Sequence, residues 1–212
     1  MTYAELKSAI ASWLMGRTDL DPEIPTFIRM TEAELNRNLR VRQMLVRAVS
    51  TVEPFTAGSS SFITLPTDWL EAKNVQFNAD AAGVRVLKYI TLQEADKLRA
   101  TGVTGNARYY SIHGNTLELV PPVSEGKEIE LTYYAKIPAL QGDSDTNWLL
   151  DTWPDLYIYG SLLKGAEFLV DDDRAKNIWQ PAYNKIFEEA RLQDERAEVS
   201  GSALRARFTA IG

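Results

Sequence analysis

Apolar residues recur at helical spacing near the two ends of the chain and at alternate positions through its middle. Thr2 and Glu5 have the spacing of a capping box, in which each side chain satisfies the other's free backbone amide. Leu6, Ile10, Trp13 and Leu14 follow on one face, predicting a first helix that Gly16 stops. Asp21-Pro22 opens a second helix, with Pro22 or Pro25 in the first turn, where a missing N–H costs nothing. Ile24, Phe27, Ile28, Thr31, Leu35 and Leu39 form its buried stripe.

From Arg42 the period changes to two. Met44, Val46, Ala48 and Ser50 share one face, and Leu45, Arg47, Val49 and Thr51 the other, which predicts a strand. Pro54 to Ser60 reads as a Gly/Ser-rich turn, Phe62 to Leu65 as a short strand and Pro66 to Trp69 as a tight corner. Further strands are predicted over 71–79, 84–90, 107–112, 116–120 and 127–136. Asn78 to Gly83 and His113-Gly114-Asn115 have hairpin-turn composition. A short helix, Leu92 to Ala100, interrupts the strands, capped by Thr91 and Glu94.

Helix returns after a loop over 139–147. Leu156, Tyr159, Leu163 and Ala166 form one stripe, flanked by Ile158, Leu162 and Leu169. Asp171, Asp172 and Asp173 make a corner that favours the positive start of the next helix. That helix runs from about Arg174 to Arg196, with Ile178, Trp179, Ala182, Ile186 and Ala190 inward. The expected fold is α+β: a four-helix bundle from residues 1–41 and 147–197, an inserted antiparallel β-rich domain over 42–146, and a C-terminal extension over 198–212.

Composition adds exclusions. The 212 residues are 45% hydrophobic and 25% charged, enough for an ordinary core. Cysteine is absent, which removes disulfides and thiolate chemistry. A single histidine, His113, argues against His-based zinc sites and Ser-His-Asp triads, and no cofactor is expected. The net charge of −6 argues against a chain whose task is gripping phosphates. Residues 141–212 hold eight basic against thirteen acidic side chains, so the acidity lies mainly in the last third. No apolar stretch is long enough to span a membrane, and Glu5 ahead of Lys7 does not read as a signal peptide.

Candidate chemistry is sparse. The three consecutive aspartates lack the Asp-x-Asp-x-Asp-Gly pattern of a calcium loop and read as corner and cap. His113, without an obvious partner, reads as exposed. Glu128/Glu130 and Asp143/Asp145 are carboxylate pairs of the kind a glycosidase uses, and Gly102-Val103-Thr104-Gly105 lacks the Lys-Ser/Thr of a phosphate loop. Arg37, Arg40, Arg42 and Arg47 cluster with no acidic residue between Glu34 and Glu53, which marks a partner or channel contact or simply a solvated helix end. Trp148, Trp153, Tyr157, Tyr159, Phe168, Trp179, Tyr183 and Phe187 crowd the last third, beyond what four helices need to hide. The tail is poor in apolar residues yet carries Leu204, Arg205, Arg207 and Phe208.

Four phrases in order resemble the phage head-to-tail adaptor (connector) family, of the tail tubular protein A kind found in short-tailed phages. They are Leu35-Asn36-Arg37-Asn38-Leu39-Arg40; Leu65-Pro66-Thr67-Asp68-Trp69-Leu70-Glu71; Tyr109 to Ile112 with Leu117 to Pro122 and Glu130 to Ala135; and Asn147 to Leu150 with Trp179 to Tyr183. The resemblance implies a structural virion protein at the head-tail junction, made in the host cytoplasm, with no catalytic residues, cofactor or membrane contact. It implies a ring, typically of twelve copies in the virion, that need not form in isolation. Portal protein and tail (nozzle) protein would be its partners, and DNA would pass through the ring without specific binding. Portal binding would then fall to the extension with Leu204, Arg205, Arg207 and Phe208. Two other classes fit the composition: a virion-associated glycan hydrolase using paired carboxylates, and a binding module using its β domain.

Overall fold

The computed structural model describes residues 1–51, 61–78, 83–123, 127–170, 173 and 175–199. The fold is α+β and divides into two compact units, one of Met1–Gln43 with the chain from Ile137 onward, the other of Met44–Lys136. Among the described residues the helices are α1 (Tyr3–Trp13), α2 (Ile24–Asn38), α3 (Leu92–Ala100), α4 (Trp148–Thr152), α5 (Pro154–Leu169) and α6 (Gln180–Val199). The strands are β1 (Leu45–Thr51), β2 (Ser61–Thr64), β3 (Trp69–Asn78), β4 (Val84–Val86), β5 (Lys88–Tyr89), β6 (Tyr109–His113), β7 (Thr116–Val120) and β8 (Glu128–Ala135).

In the helical unit, α1 starts as its sequence dictates. Thr2 Oγ1 accepts from the Glu5 amide at 3.3 Å, and Glu5 Oε2 accepts from the Thr2 amide at 2.8 Å. Two more first-turn amides, Tyr3 and Ala4, donate to the Asp145 and Asp143 carbonyls at 2.8 and 3.1 Å. Leu6, Ile10 and Leu14 are buried, but Trp13 is 47% exposed and stands edge-on to Tyr159. Tyr3 joins the inward face, whose centre lies between Ile10 and Leu14; Trp13 falls at its margin. In α2 the whole predicted stripe from Ile24 to Leu39 is buried, and Pro25 is the first-turn proline.

Helix α5 is the hub of this unit, touching α1, α2, α4 and α6. Leu156, Leu163 and Ala166 are buried as the stripe predicts, while Tyr159 is half-buried. Tyr157, Gly160, Ser161 and Gly165 are buried as well, because neighbours cover α5 on several sides. Gly160 permits the closest approach: a Cβ there would lie 2.4 Å from Thr31 Cγ2 on α2 and 3.3 Å from Tyr183 Cε2 on α6. Gly160→Ala is therefore expected to destabilise the protein by about 1–3 kcal/mol through overpacking, less whatever alanine regains in helix propensity. Adding Thr31→Ser removes the offending methyl and keeps the hydroxyl bond to the Phe27 carbonyl. Thermal melts of the double variant should recover most of the loss.

The last helix departs from its sequence prediction. Asp171, Asp172 and Arg174 lie outside the described residues. Asp173 is already helical, Ala175–Trp179 forms a π-helical turn, and regular α-helix resumes at Gln180. Pro181 explains the irregularity: it has no N–H to donate to the residue 177 carbonyl, so an α-type bond is impossible there. The wider turn shifts the inward face. Trp179, Tyr183 and Ala190 are buried, Ala182 and Ile186 are half-buried, and Ile178 is 59% exposed rather than inward.

The β unit is two four-stranded sheets, β1-β8-β3-β4 and β2-β7-β6-β5, that share one core of Ile63, Leu65, Val75, Phe77, Leu117 and Leu131 among others. Strand β8 alternates as expected, with Ile129, Leu131, Tyr133 and Ala135 inward. Trp69 closes the predicted corner, its amide donating to the Pro66 carbonyl at 3.1 Å. Its ring stacks on Tyr133, whose phenol burial and an Asp68 partner push to about 12. Arg42–Met44 is a short 3₁₀ turn, so the strand predicted from residue 42 starts at Leu45. The turn over Pro54 to Ser60 lies outside the described residues.

The predicted strand over 84–90 breaks in two. Leu87 turns into the core, and the chain passes from β4 in the first sheet to β5 in the second. Strand β5 pairs with β6 in parallel, the one departure from antiparallel order among the described strands. A parallel neighbour needs a crossover, and α3 supplies it, capped by Thr91 and Glu94 as predicted.

Candidate assembly surfaces

The four arginines of the sequence cluster have different surroundings. Arg37 is exposed in the last turn of α2. Arg40 Nη1 donates to the Asn36 and Leu39 carbonyls at 2.9 and 2.7 Å, a cation closing the negative end of α2. The Arg42 amide and Nε donate to Asp194 Oδ1 at 2.8 and 3.2 Å, joining the end of α2 to α6. Arg47 belongs to the other unit, where it pairs with Glu130 across the β1–β8 ladder. Local charge runs along the sequence thus become internal ties, with Arg37 turned to solvent.

Beside the Arg42–Asp194 tie, Leu39, Val41, Trp148 and Trp153 line a small crevice of about 60 Å³. Ala197, near the end of α6, also borders it. Leu204, Arg205, Arg207 and Phe208 lie outside the described residues.

Of the eight aromatic side chains crowded into the last third, Tyr157, Trp179 and Tyr183 are buried. Burial beside Glu34 pushes the Tyr183 phenol above the ordinary tyrosine range. Trp148, Trp153, Tyr159 and Phe187 are half-buried, and Phe168 is 57% exposed although its ring lies 5.7 Å from that of Phe27. Val170 ends α5 at φ 56°, a left-handed conformation that a β-branched residue strongly disfavours, and is 83% exposed. Isolated exposed apolar residues are ordinary. A phenylalanine and a strained valine two residues apart at one helix end are a more specific surface.

Three of the four carboxylates considered for catalysis have structural partners. Asp145 accepts from the Gln141 and Gly142 amides at 3.0 and 2.7 Å, which holds its carboxyl below the usual range, and Asp143 pairs with Lys7 at 2.6 Å. Glu130 is taken by Arg47. Among the described residues, no group of three or more His, Asp or Glu side chains is placed to hold a metal ion. His113 does have a partner: its Nε2 lies 3.0 Å from Glu118 Oε2, and Arg99 Nη2 reaches Glu118 Oε1 at 2.9 Å. Sequence reading missed Glu118 because it sits between Leu117 and Leu119, which face the core. The alternation itself was the available signal, since it places Glu118 on the other face of the strand, toward α3.

A family model described as SU10 adaptor protein matches residues 1–207, a span that includes both units. No curated protein matches the chain. No helix among the described residues is long and apolar enough to cross a membrane.

Proposed function

The chain belongs to the SU10 adaptor protein family, a family of phage head-to-tail adaptors, and from that premise we propose that it forms a ring joining the portal to the tail. The family is structural, and the chain's role is that of a virion component at the head-tail junction. In the proposed assembly twelve copies close head to tail, each burying a different surface against each neighbour. The helical unit acts as a four-helix bundle of α1, α2, α5 and α6 that meets neighbouring copies and the portal. Residues 198–212 serve as an extension that grips the portal through Leu204, Arg205, Arg207 and Phe208, and a tail (nozzle) protein binds the opposite side. DNA passes through the channel without specific binding, in keeping with a net charge of −6.

The observation that carries this reading is the span of the family match, which takes in 207 of the 212 residues. Native mass spectrometry and electron cryo-microscopy of the chain with its portal test it. A closed ring seated on the portal is expected; no ring and no portal binding would overturn it. Deleting residues 200–212 should leave the melting transition in place and abolish portal attachment. A large loss of thermal stability, or attachment that persists, would remove the tail from the interface.

A further inference from the structure

The β unit carries a groove whose charge runs against that of the chain. Arg85 from β4 and Arg108 ahead of β6 line a hollow of about 540 Å³. A second hollow of about 240 Å³ shares Arg85, Arg108 and Tyr109 with the first and adds Lys88 from β5. Among the described residues, no aspartate or glutamate lines either hollow and none of the three cations has an ion-pair partner. This occurs in a protein with 29 acidic and 23 basic side chains. Parallel pairing of β5 with β6 builds the site, since it sets Lys88 opposite Tyr109. The rest of the lining is mixed: Leu98, Val103 and Pro121 are apolar, Thr101 and Asn106 polar.

Three cations without an ion-pair partner among the described residues, set beside a lining of apolar and polar side chains, fit a short segment that is both acidic and partly apolar. A phosphate backbone is uniformly polar, and a long polyanion would meet the repulsion of the whole acidic chain. Among the acidic and apolar segments of the chain, Glu167-Phe168-Leu169-Val170-Asp171-Asp172-Asp173 joins three consecutive aspartates to exposed apolar residues. Its apolar members Phe168 and Val170 are exposed, the latter held outward in a left-handed conformation that a valine adopts only against strain.

We propose that the Arg85–Lys88–Arg108 groove of one copy receives the Glu167–Asp173 segment of a second copy. This rests on the ring-forming reading above and names one contact within it. Groove and segment are different parts of one chain, so the contact is heterologous and propagates from copy to copy.

A charge exchange tests it. One full-length variant carries Arg85→Glu with Arg108→Glu; the other carries Asp171→Lys, Asp172→Lys and Asp173→Lys. Each is assembled with isolated portal rings alone and in an equimolar mixture, beside the unmodified protein, with circular dichroism confirming that each is folded. Each variant alone should lose ring assembly at least tenfold, because its groove and its 167–173 segment repel. The mixture should restore it, since alternating copies then place opposite charges at every contact. Assembly of both variants alone, or no rescue on mixing, overturns the contact. Failure of the unmodified protein to form a ring would instead overturn the adaptor reading. A fluorescent peptide of residues 165–175 should bind the unmodified protein and lose at least tenfold in affinity to the groove variant. A DNA duplex that binds the groove in place of the peptide, in a salt-dependent manner, would replace the acidic segment with phosphate and overturn the proposal.

Discussion

Replacing Tyr157 with alanine is expected to lower stability by about 3–5 kcal/mol, the range for emptying a fully buried aromatic site. Tyr157 has no exposed surface and is the junction of a polar network inside the helical unit. Asn147 Nδ2 donates to the Tyr157 hydroxyl at 2.8 Å, and that hydroxyl donates to Glu32 Oε1 at 3.2 Å. Glu32 also accepts from the Leu140 amide at 3.2 Å, and Asn147 caps α4 through the Leu150 amide at 2.8 Å. Tyr157→Phe keeps the ring and takes one hydrogen bond from each polar neighbour, leaving Glu32 the Leu140 amide and Asn147 the Pro138 carbonyl, and should cost about 1–3 kcal/mol.

The network also gives stability a pH dependence. Burial raises the Glu32 carboxyl above its ordinary value, against the smaller opposing pull of the Leu140 and Tyr157 hydrogen bonds. A raised carboxyl favours folding while it is protonated. Its contribution is fully present below the unfolded value of about 4.3 and is lost as pH rises through the folded value. Glu32→Gln, neutral at every pH, should therefore gain on the unmodified protein as pH climbs from 4 to 7. Paired urea titrations at those two values would show it; a difference that does not change with pH would mean Glu32 ionises in the fold as easily as outside it.

The second large effect is expected at Arg99. Glu118 is only 2% exposed and is held by Arg99 from α3 and His113 from β6. Arg99→Met should cost about 3 kcal/mol, because it leaves a buried carboxylate with His113 as its remaining partner. Pairing it with Glu118→Leu removes both charges and should return stability close to that of the parent, since buried ion pairs contribute little net stability. Trp69, the one tryptophan of the β unit, reports its unfolding by fluorescence. If the double variant is no more stable than the single, Arg99 acts through packing rather than through the charge on Glu118.

Much of this molecule was legible in its residues. Both capping boxes, the buried stripe of α2, strand β7 and the alternation in β8 form as their spacing predicts, since each depends on residues a few positions apart. The ordered phrases that resemble head-to-tail adaptors pointed to the family that the chain belongs to. The candidate site was legible only in part. The arginine run was visible, but its division into a helix cap, a tie to Asp194, a cross-strand pair and an exposed residue was not. The cationic groove was not visible at all, because Arg85, Lys88 and Arg108 form no run along the chain.

What the sequence determined by itself is local: periodicity, caps, turn residues and an acid-rich last third, all set by neighbours along the chain. The tertiary structure decided where distant positions meet. It buried Glu32 at the margin of the apolar stripe of α2 and passed β5 into the second sheet beside β6. Each outcome depends on the shape and charge of an element more than a helix or strand away. Spacing along the chain carries no record of that partner.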